Sequence, residues 1–91
     1  MTQYRTADHV KWAVEAAGVV LIDRATGAAT TLGYPQAAIW DFLTRGESSE
    51  RIALKMCTIA SLTPEAAQAL VLETVAALRQ AGFLERGEAS G

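Results

Sequence analysis

The stretch VVLIDRATGAATTLG, residues 19–33, decides the fold. Its first part, VVLIDR (19–24), is β-branched and mostly apolar, which suits a central strand with cover on its faces. RATGAA holds a glycine, Gly27, that can supply the positive φ of a tight connection. AATTL (28–32) then pairs back as a further strand. Upstream, KWAVEA (11–16) alternates: Trp12, Val14 and Ala16 point one way, Lys11, Ala13 and Glu15 the other. That period marks a half-buried strand, and Ala17-Gly18 turns it into 19–24. The result is a three-stranded meander. Strand 28–32 is small and half polar, and it neighbours the central strand on one side only. Its other side is an open edge.

The pattern changes at Gly33. YPQAAIWDFLTRG carries Pro35 at a first-turn position, where a missing N–H costs nothing. Ile39, Phe42 and Leu43 follow at helical spacing, and Gly46 stops the helix. SSERIALKMCTIA is a second helix, capped by Ser48 or Ser49, with Ile52, Met56 and Ile59 on one face. Thr63-Pro64-Glu65 combines a cap, a first-position proline and an early acid, the strongest helix start in the chain. A long helix, 65–81, runs from there to Gly82, and GFLER closes the fold. Three strands followed by three helices give an α+β, winged-helix-like architecture, with a short antiparallel sheet and helices on one face. Residues 1–10 show no period and read as a loose arm. The domain spans 11–86, and 87–91 read as a disordered tail.

The totals fit one small soluble domain. The chain has 91 residues, 51% of them hydrophobic and 20% charged, and a formal net charge of −2. Lys and Arg are scattered, so no basic patch exists to displace counterions from nucleic acid or an anionic membrane. No apolar run approaches the roughly 20 residues of a membrane span, and the N-terminus lacks a secretion-signal layout. A single cysteine, Cys57, cannot pair internally, which fits the reducing cytoplasm.

On the long helix, Ala67, Leu70, Val71, Thr74, Ala77, Leu78 and Ala81 share one sector, the expected core face. Leu72 projects among polar neighbours, with Val75 on the border. Gln68, Leu72, Val75 and Arg79 form a stripe at i, i+4, i+7 and i+11. An exposed Leu is ordinary on a protein surface; the other reading is that the stripe walls a groove.

With these elements in order, the sequence resembles the PqqD-like family, the RiPP recognition elements of ribosomal natural-product pathways. The resemblance rests on a central strand ending in Asp23, the turn glycine Gly27, a strand ending in Leu32, Ile39-Trp40 on the first helix, and Gly82-Phe83-Leu84 after the last. It covers roughly residues 12–86. Two positions depart from the pattern: Gly33 stands where an Asn is usual, and Thr30-Thr31 where aromatics are common. The resemblance implies a non-catalytic adaptor without cofactor or metal. Such an adaptor holds the leader segment of a precursor peptide and presents it to a modifying enzyme, whether a radical enzyme, a protease or a cyclase. The leader would add as a strand to 28–32, with its side chains in a groove beside helix 65–81. On that basis Ala29, Thr30, Thr31 and Leu32 supply the edge, and Leu72 and Val75 form the groove floor. Gln68 and Arg79 flank it, with Arg79 pairing with a leader carboxylate. Alternation leaves open whether Leu32 faces the core or the ligand.

Two other functions fit a winged-helix layout. A DNA-binding regulator would present helix 65–81 to the major groove, but that helix offers Arg79 against Glu65 and Glu73. The chain could also serve as an assembly subunit of a modification complex. Catalysis finds little support. His9 lies in the arm, Cys57 has no nearby His or second Cys, and Gly18 and Gly27 open no phosphate-binding helix. Trp12, Trp40, Phe42 and Phe83 read as core, with the alternative that one of them, together with Met56, is exposed for docking onto the modifying enzyme.

Overall fold

The computed structural model describes residues 3–86. The strands are β1 (Tyr4–Thr6), β2 (Val10–Glu15), β3 (Gly18–Asp23), β4 (Ala29–Leu32) and β5 (Leu84–Arg86). The helices α1 (Gln36–Thr44), α2 (Ser49–Ile59) and α3 (Pro64–Gln80) lie between β4 and β5. The fold is α+β, with β2-β3-β4 as a three-stranded antiparallel sheet and β1-β5 as a separate pair. The expected tail, 87–91, lies outside the described residues.

Register explains which side chains meet. Leu21 faces Trp12 on one neighbour and Thr30 on the other, and Val19 faces Val14 and Leu32. Residues directly opposite in a sheet share a face. Val10, Trp12, Val14, Val19, Leu21, Thr30 and Leu32 therefore lie on the inner face, toward the helices. Lys11, Ala13, Glu15, Ile22, Ala29 and Thr31 lie on the outer face, and all six are exposed. Leu32 thus points inward, half-buried.

The core joins Val19 and Leu21 to Ile39, Trp40 and Leu43 of α1, Ile52 and Met56 of α2, and Ala67, Val71, Val75 and Leu78 of α3. The caps follow the sequence signals. Ser48 Oγ accepts from the Arg51 N–H at 3.3 Å, and Thr63 Oγ1 accepts from the Ala66 N–H at 3.1 Å. The β3–β4 turn is tied by Asp23, whose Oδ1 accepts from the Ala25 N–H at 2.8 Å. The Asp23 carbonyl accepts from Gly27, which sits at φ 78°. No helix among the described residues is long and apolar enough to cross a membrane.

Three expectations need correction. The arm is not loose at residues 4–6: Tyr4, Arg5 and Thr6 pair with Arg86, Glu85 and Leu84. Arg5 and Glu85 form an ion pair at 2.9 Å, and Ala7 is buried, its N–H donating to the Phe83 carbonyl. A three-residue strand whose partner lies some 80 positions away leaves no local period to read. Trp12 is also not core. It is 43% exposed, its ring standing edge-on to the buried Trp40 at 5.6 Å. Ile59 leaves the buried face of α2, half-exposed at the helix end.

Candidate functional site

The antiparallel alternation of hydrogen bonds decides what the edge of β4 offers. The Asp23 N–H donates to the Ala28 carbonyl at 2.8 Å, so positions 23 and 28 form a hydrogen-bonded pair. Two residues along in each direction, 21 pairs with 30 and 19 with 32 in the same way. Thr30 and Leu32 therefore spend their backbone groups on β3. Ala29 and Thr31 turn their N–H and C=O outward. No strand pairs with this side among the described residues, and Ala29, Thr30 and Thr31 are exposed. The edge carries no proline, lysine or bulge, the features that commonly protect one.

Beside this edge lies a hollow of about 190 Å³ between β4 and α3. Leu32 and Gln36 line one side, and Leu70, Glu73, Thr74, Ala77 and Leu78 the other. The Thr74 hydroxyl donates to the Leu70 carbonyl at 2.7 Å, so it is satisfied inside the helix. The floor is otherwise apolar, with Glu73 as the charged group on the helix side.

Of the four edge residues, Leu32 lines this hollow, while the expected α3 stripe lies elsewhere. Val75 is 3% exposed and belongs to the core. Gln68 and Leu72 line a different hollow, of about 310 Å³, between α2 and α3, with Ala53, Leu54 and Cys57. The Arg79 guanidinium lies over the Tyr4 ring at 5.7 Å, toward β1. The reason is rotational. The buried stripe of α3 is Ala67, Val71, Thr74, Val75 and Leu78, displaced toward Val75 from the sector read in the sequence. Leu70 and Ala77, read as core, are left on the flank facing β4. The apolar sector of α3 is wider than the core covers, and the surplus faces the open edge. That surplus, rather than a lone exposed leucine, was the sequence signal for the groove.

Among the described residues no cluster of three or more His, Cys, Asp or Glu could hold a metal ion. His9 Nε2 lies 3.9 Å from Asp23 Oδ2, and Cys57 is half-buried on the α2–α3 hollow.

No family model matches the chain, and no curated protein matches it. Solved structures do. Lasso peptide synthetase B1 complexed with the leader peptide has a TM-score of 0.86 at 22% identity, covering 91% of this chain and 98% of that one. TbiB1 in complex with the TbiA(beta) leader peptide has a TM-score of 0.84 at 26% identity, covering 89% of this chain and 94% of that one. With its three-stranded sheet, three following helices and open-edged groove, the chain shares the fold of these two leader-peptide-bound proteins, as its resemblance to the RiPP recognition elements led one to expect.

Proposed function

We propose that this chain is a non-catalytic adaptor that binds the leader segment of a ribosomally made precursor peptide and presents it to a modifying enzyme. The observation that carries this reading is the coincidence of an unpaired strand edge with an apolar hollow on the same side. A guest strand would take four backbone hydrogen bonds from Ala29 and Thr31. Its inward side chains would enter the hollow between Leu32 and the Leu70, Thr74 and Ala77 flank of α3. Backbone bonds supply affinity without reading sequence, so the hollow sets specificity. Both structural neighbours were solved with a leader peptide.

The electrostatics of the site differ from the sequence expectation. Glu73, not Arg79, borders the hollow, so a basic or neutral leader residue suits this end better than a carboxylate. The DNA-binding alternative gains nothing from the fold, since the one arginine of α3 packs over Tyr4. Partner enzyme assembly remains compatible with leader binding, because the β4 edge uses only one side of the sheet.

Thr31→Pro tests the reading. It removes an outward N–H while leaving the β3–β4 bonds of Thr30 and Leu32 intact, and proline is tolerated at such edge positions. Fluorescence anisotropy with a labelled leader peptide should show binding weakened by about tenfold or more. Far-UV circular dichroism should be unchanged. Unaltered affinity in a folded variant removes the edge from the account.

A further inference from the structure

The sheet has a second open edge, on β2, and its sequence is complementary to itself. The bonding alternation again fixes the outward groups. The Arg24 N–H donates to the His9 carbonyl at 2.7 Å, so with the register of β2 on β3 the residues bonded inward are Lys11, Ala13 and Glu15. Trp12 and Val14 turn their N–H and C=O outward, and no strand meets them among the described residues. Their side chains are 43% and 78% exposed. They border a hollow of about 520 Å³ that also includes Tyr34, Ala37 and Ala38. This edge is thus open in its backbone and apolar on its inner face.

We propose that β2 pairs antiparallel with β2 of a second copy of this chain, about a two-fold axis at Ala13. Only registers that join outward residues to outward residues can make hydrogen bonds. An axis at Trp12 sets Lys11 against Ala13, and an axis at Val14 sets Glu15 against Ala13. The axis at Ala13 places Lys11 opposite the second copy's Glu15, twice by symmetry. On the other face it places Trp12 opposite the second copy's Val14, also twice. Opposite charges and aromatic–β-branched pairs are the favourable cross-strand combinations. The Lys11–Glu15 positions are non-hydrogen-bonded pairs, in which side chains approach closest. Charged residues ordinarily discourage edge pairing; here their order along the strand makes them a match for a second copy. Such an isologous contact yields a six-stranded sheet with both β4 edges at its ends. Each would stay open to a peptide, so this inference is independent of the leader reading.

Sedimentation velocity over a concentration series tests it. The wild-type chain should show a concentration-dependent dimer. Lys11→Glu and Glu15→Lys each turn both charge pairs repulsive on exposed side chains, and each should weaken self-association about tenfold. Mixed in equal amounts, the two variants should regain the wild-type affinity, because every Glu then faces a Lys. Native mass spectrometry should find one copy of each in the dimer. Thr31→Pro should leave the dimer intact. A monomer at all concentrations up to about 1 mM overturns the proposal. So does a dimer indifferent to both charge reversals, a mixture that fails to recover, or a dimer abolished by Thr31→Pro, which would place the contact on β4.

Discussion

Gly18 shows how one residue positions the site. It opens β3 at φ 140°, and a Cβ there would run into the Leu32 carbonyl oxygen. The close approach lets the end of β4 lie against the start of β3, which sets Leu32 at the mouth of the hollow. Gly18→Ala should therefore lower stability by about 3 kcal/mol, read from urea unfolding. A loss below about 1 kcal/mol would mean that the turn relaxes and that the approach is not needed. The sequence marked Gly18 as a turn residue through Ala17-Gly18 after an alternating run. The contact with Leu32 was beyond reach, because it depends on strands 14 residues apart coming into register. Leu32 itself was ambiguous for the same reason. Alternation defines two faces of a strand, and only the pairing with Val19 says which is inner.

At the scale of elements, the strands of the main sheet and the three helices were legible because each carries a local signal. Those signals are period-two alternation in 11–16, a β-branched run in 19–24, and the Thr63-Pro64-Glu65 start of α3. β1 and β5 were missed because neither has a period and each is defined by the other. The rotation of α3 was the more instructive miss. A helix has a core stripe with two flanks, and periodicity cannot say which flank meets the sheet and which meets α2. The sequence marks the Gln68–Leu72 flank through its exposed leucine, and the fold turns that flank toward α2. Two exposed-position variants separate the flanks. Ala77→Arg keeps good helix propensity but fills the β4 hollow, and should weaken leader binding about tenfold or more. Leu72→Ala should change it by less than about twofold. Titration of both by fluorescence anisotropy checks this; the reverse ranking would restore the original stripe.

For the whole molecule, the layout separates the core from the edge proposed to bind the leader. Helices and β1–β5 build the core on the inner face of the sheet and leave β4 with one bonded and one unbonded side. The architecture and the idea of an unfinished edge were legible in the order of elements. The identity of the groove wall was not, because it depends on how three helices stack. The most direct test of the central claim is amide hydrogen exchange, residue by residue, with and without leader peptide. In the free chain the Ala29 and Thr31 amides should exchange quickly, and those of Thr30 and Leu32 slowly. Leader should slow Ala29 and Thr31 by about tenfold or more and leave Trp12 and Val14 unchanged. Protection confined to the α2–α3 hollow around Gln68 and Leu72, with Ala29 and Thr31 as fast as before, would contradict the account.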